Sequence, residues 1–395
     1  MSPEDLGQGR HAMVVHAYYP LGETRVQREA AALVESGMEV EVFALRGRGE
    51  PRRETVDGVE VRRLPVRRNR RLGIAFQLLE YMAFFLAAGA ALTVRHLRRR
   101  YDSVQVHNLP DFLVFAALVP KLTGARVLLD LHDLMPEFFA ARIGRSLRHP
   151  LVRLVVWQER LACAFADVVI TVTDGWRERL VGRAVPADKV RVVMNVADPS
   201  LFQRRMDQPA HDGFNVLYHG TFSYRYGVDL LVEAAALLAE RVGGLKVWLL
   251  GDGEYRPELE RAVAERGLES VVEMSPGMLG VTELQPYLAA ADAGVVPNRS
   301  TVFTDDLLPT KLLEYVAVGI PVVAARTPMV DACFDDDMVQ FFNPGDAADL
   351  AEKLSALAAS PEARRKLAES ADRFTGENSW ERVSRDYVAL VRGQS

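Results

Sequence analysis

Two cysteines in 395 residues, Cys163 and Cys333, are too few and too far apart for a disulfide framework or for the paired spacing of a zinc site. No metal is expected, and a reducing, cytoplasmic compartment is the expected setting. Aromatic residues make up 8% of the chain and are not interleaved with basic runs as in nucleic-acid readers, so nucleic acid is not expected as a partner. The start, Met-Ser-Pro-Glu-Asp, lacks the charged segment of a secretory signal, and export is not expected. A clean membrane span is also missing. The longest apolar stretch, Ile74 to Val94, has the length, but Gln77 and Glu80 interrupt it. A domain helix is the first reading, a membrane-contacting face the second and a span the last. The acidic run Asp335-Asp336-Asp337 lacks the spaced oxygen ligands of a calcium loop and reads as a surface turn.

What is present is an ordinary globular composition, 49% hydrophobic and 26% charged, over a length that suggests two domains. The net charge of −5 hides an asymmetry. Residues 1–200 carry 29 Lys/Arg against 23 Asp/Glu, while the remainder carries 19 against 30. The first half is therefore the one suited to an anionic surface.

Short β-branched runs alternate with amphipathic segments. Ala12–His16, Val40–Leu45, Val104–His107, Val127–Leu131 and Val168–Thr171 read as strands, with a helix over Val26–Ser36 ended by Gly37. After Asn195-Val-Ala-Asp-Pro-Ser the pattern restarts with Asn215–Tyr218, Lys246–Leu250, Val271–Met274, Ala293–Val296 and Pro321–Ala324. Such alternation implies an α/β fold of two doubly wound, Rossmann-like parallel sheets, with ligands beyond the carboxyl ends of the strands in a central cleft. The boundaries expected are 1–197, 198–378 and a last helix in 379–395, over Trp380–Val391, packing back toward the first domain.

The densest chemistry lies in Asp305-Asp-Leu-Leu-Pro-Thr-Lys-Leu-Leu-Glu314, where Asp306 and Glu314 stand eight positions apart across a helix start. Pro309 suits a first helical turn, so the amides of Thr310 and Lys311 are expected to face an anion. A carboxylate at each side would accept hydrogen bonds from sugar hydroxyls. His219-Gly220-Thr-Phe-Ser-Tyr-Arg225-Tyr-Gly227 follows a strand, with Gly220 permitting close backbone approach and Arg225 placed to meet a diphosphate. Gly251-Asp252-Gly253 and Met274-Ser275-Pro276-Gly277 end the next strands and could support a planar base through main-chain groups.

In the first half, His107-Asn108-Leu-Pro-Asp111 and His132-Asp133-Leu-Met-Pro-Glu137 both fall just past strands, where polar clusters are costly unless used. Arg25 and Arg28 are offered to the same mouth. Arg62, Arg63, Arg67, Arg68, Arg70 and Arg71 precede the apolar helix, and Arg95, Arg98, Arg99 and Arg100 close it. Basic residues flanking an apolar helix suggest peripheral contact with anionic lipid, against the alternative of a solvated arginine face.

Over essentially the whole chain this pattern resembles the retaining glycosyltransferases of family 4, which have the GT-B fold. The most specific part is the acid-x7-Glu motif, here Asp306 to Glu314 followed by Tyr-Val-Ala-Val-Gly-Ile-Pro-Val-Val. The resemblance implies a nucleoside diphosphate sugar as donor substrate and no further cofactor. It implies that Glu314 holds the donor ribose, Asp306 contacts the donor sugar, the Thr310 and Lys311 amides face the diphosphate, and His132 lies beside the reacting sugar. The acceptor, a glycan, a lipid-linked precursor or a small molecule, would fall to the first domain, and Arg25 and Arg28 hint that it is anionic.

The chain departs from the family at three points. Asp306 is one methylene shorter than the usual Glu. The Gly-Arg-Leu-x3-Lys-Gly turn appears as Gly220-Thr-Phe-Ser-Tyr-Arg-Tyr-Gly227, with Arg225 one position before the usual Lys. Of the Gly-Gly pair after the first strand only Gly22 remains. A nucleotide-sugar 2-epimerase and a catalytically inactive GT-B partner protein are the rival readings.

Overall fold

The apolar runs that alternate with amphipathic stretches fold into two separate parallel sheets. The computed structural model describes residues 9–20, 24–68, 74–206, 209 and 211–394. It divides into a first unit, Met1–Asn195 with Glu381–Ser395, and a second, Val196–Trp380. Gly22, Arg70 and Arg71 lie outside the described residues.

The first unit contains strands β1 (Arg10–Tyr18), β2 (Glu39–Leu45), β3 (Arg53–Val56), β4 (Val59–Leu64), β5 (Ser103–His107), β6 (Arg126–Leu131), β7 (Val168–Thr171) and β8 (Val190–Val192). They lie in the order β3-β4-β2-β1-β5-β6-β7-β8, and only β3 runs antiparallel to its neighbour. The helices are α1 (Thr24–Glu35), α2 (Ile74–Arg98), α3 (Leu118–Leu122), α4 (Met135–Ile143), α5 (Pro150–Phe165) and α6 (Asp174–Gly182). Because strand side chains alternate, β1 feeds two cores. Ala12 and Val14 pack with Phe84, Ala88 and Leu92 of α2, whereas Met13 and Val15 pack with Val26, Ala30 and Leu33 of α1.

The apolar helix α2 is thus one-faced. Its inner face is fully buried, and Glu80 turns inward to His16 Nε2 at 3.1 Å instead of meeting solvent. By length and composition alone it could cross a membrane.

Two of the arginines that precede this helix in sequence, Arg62 and Arg63, correct the expectation of one basic surface. Arg62 and Arg63 are on β4, in a hairpin with β3 turned by Asp57-Gly58. Arg62 pairs with Glu41, and nearly buried Arg63 reaches Glu54 at 2.7 Å, Glu50 at 3.0 Å and the Tyr19 carbonyl at 3.2 Å. Arg95 returns from the end of α2 to the same Glu41 at 3.0 Å. A carboxylate inside the apolar β2 needs such cations. Glu41 was the sequence signal that some of these arginines are internal.

The second unit contains β9 (Phe214–Thr221), β10 (Leu245–Asp252), β11 (Val272–Met274), β12 (Ala293–Val296), β13 (Val322–Ala325) and β14 (Gln340–Phe342). All are parallel, in the order β11-β10-β9-β12-β13-β14. Its helices are α7 (Val228–Leu238), α8 (Arg256–Glu265), α9 (Val281–Ala290), α10 (Thr310–Val318), α11 (Pro328–Cys333), α12 (Ala347–Ala359) and α13 (Pro361–Glu377). The last helix, α14 (Trp380–Val391), packs on the first sheet beside α1, where buried Tyr387 donates to Gln105 Oε1 at 2.7 Å. In the second sheet the connection order reverses beside β9, whose neighbours are β10 and β12. Crevices in such sheets open at that point, beyond the strand ends.

Candidate functional site

At the carboxyl end of β9 the backbone turns through Gly220 with φ of +119°, a conformation that disfavours any side chain. A Cβ there would also stand 3.3 Å from Lys311 Cε on α10. Its β10 neighbour Gly251 is equally constrained, since a Cβ would collide with the Gly220 carbonyl. Gly227 ends the same turn at φ of +64°, pressed against the Pro297 carbonyl after β12. These glycines draw the β9 turn, the β10 end and the start of α10 together.

Lys311 lies in the resulting hollow. Its Nζ is 3.3 Å from Tyr218 Oη, 4.5 Å from the centroid of that ring and 5.2 Å from the Tyr226 ring. Burial lowers its ammonium from 10.5 to about 8, with Glu314 pulling the other way. One turn further along α10, Glu314 Oε2 lies 3.3 Å from His219 Nε2. Burial and the nearby Lys311 push the His219 imidazole down to about 3, so it is neutral and stands beside the carboxylate as a neutral polar neighbour. Tyr315 locks this arrangement from beneath, accepting from the His219 amide at 3.1 Å and donating to the Leu217 carbonyl at 3.2 Å.

Helix α10 begins at Thr310 without a side-chain cap. Pro309 is the N-cap, with extended φ/ψ of −68°/126°, rather than the first-turn residue expected. Asp306 is half-buried in the segment between β12 and α10. Arg225 abuts that segment, 5.3 Å from the Phe303 ring and 5.4 Å from the Tyr226 ring, so Tyr226 neighbours both Arg225 and Lys311.

The residues at the ends of β10 and β11 are more committed than expected. Gly251 N–H donates to Ser275 Oγ at 2.8 Å, and the Gly251 carbonyl accepts from Arg256 at 3.0 Å. Ser275 Oγ donates to the Gly277 carbonyl at 2.7 Å. Asp252 pairs with Arg256 at 3.1 Å, and Gly253 is packed on Phe222. This corrects the idea that Gly251 and Ser275 read a base through uncommitted groups: they tie adjacent strand ends. Met274, half-buried at the end of β11, packs on the second unit's core.

Sequence reasoning missed the aromatic walls, Tyr218 and Tyr226, because an aromatic beside a turn has no pattern of its own. It also missed Asn298, just past β12. Asn298 is 2% exposed, and neither of its amide atoms has a hydrogen-bond partner among the described residues. Such a group is costly unless a ligand or water completes it.

In the first unit the two histidine clusters do converge, since β5 and β6 are neighbours. His132 Nε2 is 3.0 Å from His107 Nδ1 and 3.3 Å from Asp130 Oδ2, and its amide donates to Asn108 Oδ1 at 2.8 Å. His107, fully buried, is lowered to about 4 by burial against the opposing pull of Asp130. Burial would raise the Asp130 carboxyl, but Arg25 and the two histidines outweigh it and hold it well below the usual carboxylate range.

Arg25 corrects a further expectation. It is nearly buried, donating to Asp130 at 3.1 and 3.2 Å and to the Val193 carbonyl at 2.9 Å, and it pairs with Glu29 at 3.0 Å. It is spent internally and is no hint of an anionic acceptor. Arg28 donates to Asn195 Oδ1 at 2.6 Å. Glu137 is likewise structural, accepting from Arg183, which also reaches Glu159 at 2.9 Å. His107, Asp130 and His132 bring ligand atoms within 4.8 Å of one another and could hold a cation, yet the Arg25 guanidinium already supplies Asp130 with positive charge.

Comparison with known proteins gives this geometry a context. Residues 22–195 match the model of the glycosyl transferase 4-like domain, and residues 213–360 match glycosyl transferases group 1. The chain is 29% identical to a D-inositol 3-phosphate glycosyltransferase of Actinosynnema mirum, over 92% of this chain and 90% of that protein. It is 25% identical to the amylovoran biosynthesis glycosyltransferase AmsK of Erwinia amylovora over 47% of this chain, a match that spans about half, 46%, of that relative's length. Among solved structures, sucrose-phosphate synthase of Thermosynechococcus elongatus superposes with a TM-score of 0.79 at 21% identity, over 98% of both chains. Anabaena HepE in complex with UDP-glucose superposes at 0.71 and 16% identity, over 97% of this chain and 99% of that one.

Proposed function

The chain belongs to the GT4-like glycosyltransferases of the GT-B type, and from that premise we propose that it moves a glycosyl group from a nucleoside diphosphate sugar to an acceptor hydroxyl with retention at the anomeric carbon. The carrying observation is the placement of Lys311 and Glu314 one helical turn apart on α10, with Lys311 against Gly220 and Glu314 against neutral His219. An ammonium in a hollow with aromatic walls suits a diphosphate, and a carboxylate one turn on suits the vicinal hydroxyls of a ribose. That HepE is seen with UDP-glucose supports the donor class.

In the reaction the bond from the anomeric carbon to the diphosphate oxygen breaks, and the diphosphate leaves with the electron pair. A new bond forms to the acceptor oxygen, whose proton is released. Lys311, Arg225 and the start of α10 would stabilise the charge on the departing diphosphate, with no metal called for. We assign Asp306 to the donor sugar, Glu314 to the ribose and the Thr310 and Lys311 amides to the diphosphate. We keep Gly253, Asp252 and Met274 as neighbours of the base. In the first unit, which we assign to the acceptor, the candidate is His132, whose ring is oriented by His107 and Asp130. A cytoplasmic setting suits the two cysteines, neither of which is in a disulfide.

The test is turnover of a panel of nucleoside diphosphate sugars with and without sugar, inositol and lipid-phosphate acceptors, the product anomer being read by NMR. Transfer that keeps the donor configuration is expected. An epimerised nucleotide sugar formed without acceptor would overturn the transferase reading, and an inverted product would overturn retention.

A further inference from the structure

The outer side of the first unit's helical layer is unusual for a soluble surface. On α2 the buried positions Phe84, Ala88 and Leu92 recur every fourth residue, and the opposite stripe is Leu79, Met82, Leu86, Val94 and Leu97. Of these Leu79, Leu86 and Leu97 are more than half exposed. On α5, Leu154 and Trp157 are also more than half exposed, and the short α3 adds Leu118 and Leu122. Helices α2 and α5 pack on the same core face of the sheet, and α3 follows directly from the segment of that core between them. Their outward stripes therefore share one side. An apolar expanse of this kind on a soluble unit marks an interaction surface.

Charge identifies what it fits. The acidic side chains of α2, α3, α4 and α5 are Glu80, Glu137 and Glu159, and all three are buried against internal partners. The exposed charged residues on α2, α4 and α5 and in the α4–α5 turn, Arg98, Arg142, Arg145, Arg148, Arg153 and Arg160, are all basic, and the exposed acids lie at the margin, Asp167 paired with Lys121 after α5 and Asp174 and Glu178 on α6. Two copies of such a face would repel each other, which disfavours self-association. Aliphatic side chains and an exposed tryptophan ringed by arginine match instead the boundary between lipid headgroups and acyl chains. We propose that the outer face of α2, α3 and α5 docks on an anionic phospholipid bilayer, with Trp157 and Leu154 entering the interface and Arg153 and Arg160 engaging phosphate. This surface is distinct from the β4 arginines, which are spent on Glu41, Glu50 and Glu54. It is independent of the donor reading, because no residue of the second unit takes part.

The test is co-sedimentation of the full chain with vesicles of phosphatidylcholine alone or mixed with phosphatidylglycerol. The chain should pellet with the mixed vesicles, less so as salt rises, and remain in the supernatant with phosphatidylcholine alone. Arg153→Gln with Arg160→Gln should weaken binding about 25-fold, at about fivefold per arginine near an anionic surface. Leu154→Ser with Trp157→Ser should weaken it too, both double variants keeping the parent melting temperature because all four side chains are exposed. The parent's tryptophan emission should shift to the blue on binding, and Trp157→Phe should bind without that shift. Equal recovery of the chain from both vesicle types would overturn the proposal. So would pelleting that ignores Leu154 and Trp157, which would mark a general polyanion surface, or a dimer that Trp157→Ser dissolves, which would make a second copy the occupant.

Discussion

Replacing Lys311 with methionine should move stability and donor binding in opposite directions. The aliphatic stem of Met fills most of the same hollow, so the change removes a charge without opening a large cavity. In the protein without ligand that charge is unfavourable, since burial lowers the ammonium from 10.5 to about 8. At about 1.36 kcal/mol per pKa step, the charged form costs roughly 3 kcal/mol as an upper bound, and less because the side chain is only partly buried. Against this stands the loss of the cation's attraction to the Tyr218 ring, 4.5 Å away, which is worth about 0.5–1 kcal/mol. The balance predicts a variant more stable than the parent by about 1–2 kcal/mol at neutral pH.

The pH dependence has a definite sign. Between pH 8 and 10.5 the unfolded chain holds a proton on Lys311 that the folded chain has lost, so the parent gains stability as pH rises through that window. The advantage of Lys311→Met is therefore full below pH 8 and fades toward 10.5. Donor affinity should follow the opposite rule, falling above pH 8 in the parent as the ammonium that meets the diphosphate is lost. In the variant it should be weaker by about 10- to 100-fold, the value of about 1.5–3 kcal/mol for a charge-assisted hydrogen bond. Urea unfolding and titration calorimetry, each run across this pH range, measure the two effects. A variant that is less stable and binds donor as well as the parent would refute the reasoning, for Lys311 would then be a structural lysine.

Glu314→Ala should lose about 1.5–3 kcal/mol of donor affinity in calorimetry, and Glu314→Gln less, because the amide still accepts from ribose hydroxyls; equal affinity for both would remove the ribose role. Arg225→Ala should slow turnover at saturating donor by more than it lowers stability; a parent rate would pass the charge stabilisation to another group. Asp130→Asn should destabilise the first unit by up to about 3 kcal/mol by leaving the buried Arg25 guanidinium with Glu29 as its remaining carboxylate; a loss of under about 1 kcal/mol in urea unfolding would mean the pair is dispensable.

Much of the fold was legible because parallel strands buried on both faces read as continuous β-branched runs. Val168–Thr171 and Ala293–Val296 match the structure at both ends. The β3–β4 hairpin was not legible, because its arginines and glutamates look like a loop until Glu41 is seen to need partners across the sheet. The short strand β8 carries three residues, too few to show a period, and lacks directly after it the turn signal that marked the equally short β11, where Ser275-Pro276-Gly277 follows. At the candidate site, the placement of Lys311 and Glu314 one turn apart on a single helix was readable from their spacing. The roles of Arg25 and Ser275 were not, since each is decided by a partner 105 or 24 residues away in sequence. Polar residues at strand ends look alike in sequence whether they await a ligand or tie the ends together.

The central claim is that the second unit binds a nucleoside diphosphate sugar through Lys311 and Glu314. Titration calorimetry of the full chain with UDP-, GDP- and ADP-sugars in the presence of a chelator tests it most directly. The account predicts saturable one-to-one binding of at least one of these donors, weakened at least tenfold by Lys311→Met and by Glu314→Ala and retained by the Arg153→Gln, Arg160→Gln variant. Binding of the same donors with unchanged affinity by both α10 variants would contradict it.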